Sequence, residues 1–287
     1  MRRRSTILAV LAALVALAAT AVGLSLAAGS AGASVRAASL RALVGVNFVS
    51  VCGFSHRGPD DPIVFPGKPG ASHDHSFVGN VSTNAFSTLD TLRAAATKCR
   101  RPGDTAGYWM PTLFVDSQPV VPSQATIYYR RSTLAPPKPF PAGLKIVAGN
   151  AHAFAAQSLK VVFWNCGVTG GVPLSITPPS CPNSRAESLR LHVTFPSCWD
   201  GKNLDSADHA SHMAYPMRGV CPSGYPVAVP AITLIYRYPT TGGPLTALAS
   251  GSPLTGHADF FNAWDENVLS GLVAGCLDAL RHCGRGS

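Results

Sequence analysis

Histidine beside aspartate is the recurring chemistry-bearing pattern of this chain. His56 with Asp60-Asp61 is followed by Ser72-His73-Asp74-His75. On an extended backbone, residues i and i+2 face the same side, so His73 and His75 project together as paired metal ligands or paired polar contacts. An isolated H-x-H recurs by chance, and taken alone it reads more simply as structural hydrogen bonding. A second group holds Phe195-Pro196-Ser197-Cys198-Trp199-Asp200-Gly201, then Asp205, Asp208-His209 and Ser211-His212-Met213. An indole stacks on the apolar face of a pyranose and a carboxylate accepts sugar hydroxyls, so Trp199 with Asp200 suits a saccharide. The same pair reads equally well as a core tryptophan near a disulfide and a turn cap before Gly201. His209 and His212 share a face only if their segment is helical. The third group is Gly256-His257-Ala258-Asp259-Phe260-Phe261. His257 and Asp259 share a face if extended, whereas Asp259 alone reads as a helix cap.

Six of the nine histidines fall in these three groups, in a chain with only 14 acidic residues. If the fold converges them, they form a metal site or a general acid/base constellation. The polar centre expected is His73, His75, His212 and His257, holding at most one divalent ion (zinc, copper or calcium). Asp259 or Asp200 would orient a histidine or act as the acid/base. Trp109 and Trp199 would serve as sugar platforms, with Asp200 binding hydroxyls. Tyr108-Trp109-Met110-Pro111 and Tyr128-Tyr129-Arg130 offer further aromatic and basic groups, and read equally as core strands with an arginine reaching to solvent. G-x-S-x-G, P-loop and H-E-x-x-H patterns are absent. Glu187 and Glu266 are the only glutamates, which excludes a paired-Glu glycosidase and leaves an Asp pair open.

The elements that must position these residues begin with an export signal. Arg2-Arg3-Arg4 precedes an Ala/Leu/Val-rich run from Ile7 to about Ala28, then Gly29-Ser30-Ala31-Gly32-Ala33. A basic start, an apolar middle and an A-x-A end define a cleavable signal, assigned to 1–33. The alternative is an uncleaved anchor, because the run is long enough to span a bilayer. Residues 34–45 read as a flexible lead-in and 46–287 as one secreted domain, free of the membrane after cleavage. Eight cysteines follow the signal: Cys52, Cys99, Cys166, Cys181, Cys198, Cys221, Cys276 and Cys283. An even count without C-x-x-C favours disulfides over metal thiolates. Sequential pairing is expected, 52–99, 166–181, 198–221 and 276–283, because short loops close most cheaply.

The formal net charge is +9, three of it in the signal. A basic balance suits acidic polymers or an anionic envelope, though general solubility explains it as well. The basic residues are scattered, which argues against nucleic acid. Short β-like runs recur at 44–51, 125–130, 144–147, 159–164, 188–194 and 231–238, separated by Pro/Gly turns. Helices are expected at 82–98 and 260–280, the second capped by Asp259. The expected fold is mainly β: a β-sandwich or jelly-roll-like core with two or three peripheral helices, stapled by disulfides.

A family resemblance then emerges from motifs in order. The stretch 52–56, Asp60-Asp61-Pro62-Ile63-Val64, Ser72-His73-Asp74-His75-Ser76-Phe77-Val78-Gly79-Asn80, Tyr108-Trp109-Met110-Pro111, the stretch 195–201, Ser211-His212-Met213-Ala214-Tyr215 and His257-Ala258-Asp259-Phe260-Phe261 carry it. The chain resembles the secreted domain of unknown function numbered nineteen-ninety-six, a family of fungi and actinobacteria, over about residues 46–280. Fungal relatives often join this domain to wall-binding modules, which implies a wall or biomass polysaccharide context. The resemblance assigns no role to any residue. The function expected is a secreted hydrolase or lyase acting on extracellular polysaccharide, as a monomer. The alternatives are a non-catalytic glycan- or envelope-binding module and a His-liganded copper or zinc protein.

Overall fold

The computed structural model describes residues 39–167 and 173–285. The signal at 1–33 and the first part of the lead-in lie outside the described residues. The remainder of the lead-in forms a single helical turn, Leu40–Leu43, capped by Ser39 and burying Leu43.

Two sheets dominate. In chain order their strands are β1 (Asn47–Cys52), β2 (Phe54–Gly58), β3 (His75–Gly79), β4 (Gly107–Pro111), β5 (Gln124–Arg130), β6 (Lys145–Gly149), β7 (Val162–Cys166), β8 (Leu189–Thr194), β9 (Ala231–Arg237), β10 (His257–Phe261) and β11 (His282–Arg285). The six-stranded sheet runs β11-β1-β5-β9-β8-β7, and the five-stranded sheet runs β2-β3-β4-β10-β6. Neighbours are antiparallel, save β11 beside β1. Two small sheets flank them, Cys198–Trp199 with Met213–Ala214 and Val227–Ala228, and Leu113–Val115 with Gln118–Val120 and Thr246–Leu248. The fold is thus mainly β with two short helices and four disulfides.

The large sheets share one core. β5 alternates buried and half-buried positions, so Ala125, Ile127 and Tyr129 point inward while Thr126, Tyr128 and Arg130 point out. From the facing sheet come Val78, Tyr108, Met110, Ile146, Ala148, Ala258 and Phe260. A polar knot ties the two layers together. Ser50 and Tyr108 both donate to the Asp104 carboxylate, Tyr108 and Tyr129 share a hydroxyl contact, and the Trp264 indole donates to Tyr129 at 2.8 Å. Burial raises Asp104 to about 7, against the pull of these donors and of Arg101.

The disulfides are Cys52–Cys99, Cys166–Cys181, Cys198–Cys221 and Cys276–Cys283, the sequential pairing. Four bridges and no free cysteine among the described residues are the pattern of an oxidising compartment. No helix of the described residues is long and apolar enough to cross a membrane.

Both expected helices are shorter than their patterns. In the first region, α1 covers only Leu89–Ala94, capped by Thr88. Upstream, Asn80, Asn84 and Ser87 bind backbone N–H groups two or three residues away, which holds the chain in turns. In the second, β10 replaces the helix start. Asp259 is mid-strand, and α2 begins at Glu266 behind an Asp265 cap, runs to Leu272 and widens into a π turn through Asp278. Asp259 therefore caps nothing.

Candidate metal centre

The five-stranded sheet is covered on both faces. Its inner face meets the shared core. Its outer face carries His75 and Phe77 on β3, Trp109 on β4, and His257, Asp259 and Phe261 on β10. Ile63, Leu92 and Ala263 pack over part of this layer. Register sets the layout. Trp109 lies between Phe77 on one side and Asp259 on the other, and His75 lies opposite Pro111. β3 and β10 are two strand spacings apart, roughly 9–10 Å. The imidazoles of His75 and His257 close that gap, with ring centroids 5.8 Å apart. His73 completes the group, its ring 4.3 Å from His75 and 5.0 Å from His257.

The hydrogen bonds settle which nitrogens face inward. His257 Nδ1 lies 2.8 Å from the Thr255 carbonyl and His75 Nδ1 lies 3.0 Å from the Asp60 carbonyl. A carbonyl only accepts, so each Nδ1 carries the proton and each Nε2 presents a lone pair. Metal-ligating histidines are held in this way, the second ring nitrogen donating to a backbone carbonyl. Nε2 of His257 and Nε2 of His73 are 3.2 Å apart. Two ligands about 2.0–2.1 Å from one tetrahedral ion stand at nearly that separation. The buried Nε2 of His75 has no hydrogen-bond partner. His73, His75 and His257 each bring a donor atom to within 4.8 Å of the others.

A second trio shares His75. Asp61, His75 and Asp259 also place donor atoms within 4.8 Å of one another. Asp61 Oδ1 accepts the N–H groups of Ile63 and Val64, which fixes the carboxylate in its own turn. Asp259 is 1 % exposed and neither of its oxygens has a partner, while the Trp109 indole N–H is directed at Asp61. Buried polar groups are almost always paired, so three such atoms in one layer, His75 Nε2 and both Asp259 oxygens, point to an ion or water as their partner. The residues present thus fit a divalent cation: neutral imidazoles with oriented lone pairs, and carboxylates beside them.

Burial is the main cause of the electrostatics. It lowers His75 well below the usual imidazole range, lowers His257 to about 4, and lowers His73. It raises Asp61, against donors from its own turn and the nearby Trp109 indole, and raises Asp259 well above the usual carboxylate range, with Asp61 adding to the effect. Exposed His152 reinforces the lowering of His73 and His257, which places it by the mouth of the site. His73 is half-buried, so solvent reaches the cluster on its side. Gly149 lies opposite His257 on β6 with φ +83°, and a side chain there would meet the Gly256 carbonyl and the His257 backbone. That close approach sets where His257 stands.

The other expected site residues lie elsewhere. His212 is outside both trios: its Nε2 lies 2.7 Å from the Lys145 carbonyl and its Nδ1 2.9 Å from Ser206 Oγ, so both nitrogens are engaged. Trp109 is fully buried and cannot act as a sugar platform. Trp199 is half-buried against the core, its indole donating to the Asn203 carbonyl. Asp200 caps the following turn, accepting from the backbone of Lys202 and Asn203 and from the Asn203 side chain. His56 stacks on Phe77 with both nitrogens hydrogen-bonded. Asp74 pairs with Arg57 at the surface. Cys52, Cys99 and Asp104 also lie close together, but the disulfide removes both thiolates as ligands. Sequence reasoning gave no role to Asp61 and passed over His152, a lone loop histidine with no pattern around it.

The family model described as Domain of unknown function (DUF1996) matches residues 61–264. The chain belongs to this family. The DUF1996 match takes in every member of both trios, from Asp61 to Asp259. No curated protein and no solved structure matches the chain.

Proposed function

We propose that this DUF1996 protein is exported and acts on wall or extracellular polysaccharide, hydrolysing it at a divalent metal centre held by His73, His75 and His257. The observation that carries the reading is the meeting of three imidazoles beside a carboxylate whose two oxygens have no partner. When bound, the cation supplies Lewis acidity and an activated water, the role of three-ligand sites with an open position. The chain does the rest. Thr255 and Asp60 hold His257 and His75 in the tautomer that ligates, and Asp259 stands at the cluster with oxygens free to take or give a proton. Hydrolysis adds water across a glycosidic C–O bond, so one carboxyl able to move a proton suffices beside an activated water. A lyase working through a His/Tyr pair fits less well. Tyr236, which shares an electrostatic environment with Asp259, gives its hydroxyl to the Ser76 carbonyl.

Purified secreted protein, dialysed and analysed for metals, tests the centre, and reducing-end release from a polysaccharide panel tests the chemistry. About one ion per chain and release from at least one glycan are expected. His73→Ala with His257→Gln should lower metal occupancy at least about tenfold and abolish release, with circular dichroism unchanged. Glycan binding without metal or turnover would sink the reading. Metal without turnover would support a second one, a copper- or zinc-holding protein, which the depth of His75 and His257 favours (0 and 3 % exposed).

A further inference from the structure

The outer face of the six-stranded sheet carries a recess of about 400 Å³. It lies across the sandwich from the metal centre, since its residues alternate with those that enter the shared core. Arg130 on β5, Arg190 and His192 on β8 and Arg237 on β9 line it, with half-buried Tyr128 and Phe163 among them. Among the described residues, no acidic one lines it.

The arginines are held rather than loose. Arg130 lies over the Tyr128 ring at 4.5 Å and donates to Thr233 Oγ1 at 2.8 Å. Arg237 donates twice to the Arg185 carbonyl, and Arg190 donates to the Ala186 carbonyl at 3.1 Å. For Arg130 and Arg237 these bonds use one edge of the guanidinium and leave N–H groups to spare, because each fork carries five. His192 stacks on Phe163, centroids 4.2 Å apart, and its Nε2 lies 3.0 Å from Asn165 Oδ1. Burial, with Arg190 and Arg130 adding to it, lowers His192 to about 3, so the imidazole is a neutral wall of the recess and the arginines hold its charge.

We infer that this recess binds an acidic polysaccharide of uronate type, as an anchoring site separate from the metal centre. Guanidinium forks pair with carboxylates in two-point fashion, half-exposed aromatic rings offer apolar surface to a pyranose, and the Thr126, Thr194 and Gln124 side chains suit its hydroxyls. The inference stands apart from the metal reading, because its residues and its probe are different.

Titration calorimetry of the full secreted protein with oligogalacturonate, and with a neutral oligoglucan of equal length, tests it. Binding of the uronate alone is expected, weakening steeply with salt. Arg130→Gln with Arg190→Gln should weaken it at least tenfold and flatten the salt dependence, and Thr126→Asp, which places a carboxylate in the recess on an outward-facing strand position, should do the same. His73→Ala with His257→Gln should bind as the wild type does, which separates failure here from failure at the metal centre. Equal binding of the neutral glycan, unchanged binding in both recess variants, or tighter binding of inorganic polyphosphate than of uronate would overturn the proposal.

Discussion

The two large sheets make contrasting use of their faces. The six-stranded sheet packs one face on the core and leaves the other open to solvent over part of its width, so β5 and β7 alternate along their whole length, whereas β1 and nearly all of β9 are buried. The five-stranded sheet is covered twice, and β3, β4 and β10 are buried at every position. A wet face can carry polar groups at little cost, because water satisfies them. A second dry face cannot, and yet here it holds two imidazoles, two carboxyls and an indole. Leaving a buried polar atom unpaired costs about 1–3 kcal/mol. Charge on the open sheet is therefore ordinary in energy, whereas the polar layer on the closed sheet calls for a ligand.

The contrast can be broken at Trp109. Trp109→Ala on the twice-covered sheet should destabilise by about 3–5 kcal/mol, against less than about 0.5 kcal/mol for Thr126→Ala on the open face. Urea unfolding of the two variants measures the difference, and similar costs would show that the outer cover of the five-stranded sheet contributes little.

Next comes the polar knot of the inner core, whose members hydrogen-bond one another. Asp104, raised to about 7, keeps its proton in the folded state at pH values where the unfolded chain has lost it. Folding stability contributed by this group is fully present at acidic pH and falls as pH rises from about 4 to about 7, then levels. The swing should be on the order of 4 kcal/mol. Asp104→Asn should flatten that part of a stability–pH curve. An unchanged slope would mean that the carboxyl is already ionised at pH 5.

The smallest effect is expected outside both sheets. Asp200 caps an exposed turn, so Asp200→Ala should move the melting temperature by no more than about 2 °C and leave glycan binding intact. Loss of binding would restore Asp200 to the sugar-contacting role suggested by its place beside Trp199.

The same contrast explains what the sequence disclosed. All six β-like runs fall on strands, and five of them (β1, β5, β7, β8 and β9) belong to the six-stranded sheet. Of the five-stranded sheet, only β6 is among these runs, although Tyr108–Pro111 of β4 also reads as a core strand. β3, β4 and β10 carry no alternation because both faces are dry, and their histidines and glycine disguise them further. β10 in particular passed for a helix, because Phe261 happens to match the helical spacing of Trp264, Val268 and Leu272. The site was nonetheless legible at its i, i+2 pairs. His73 with His75 and His257 with Asp259 do face one way each. That the two pairs meet depends on β4 lying between their strands, which no local pattern encodes. His212 shares their residue type without their setting, since a carbonyl and a hydroxyl already occupy its nitrogens.

The four bridges also bear on how such a chain is made. None of them encloses or crosses another, and the separations are 47, 15, 23 and 7 residues. A polypeptide delivered from its amino end thus meets each correct thiol before any later one arrives. An oxidant that joins cysteines in order of appearance makes the native set directly, with no mispaired species for an isomerase to correct.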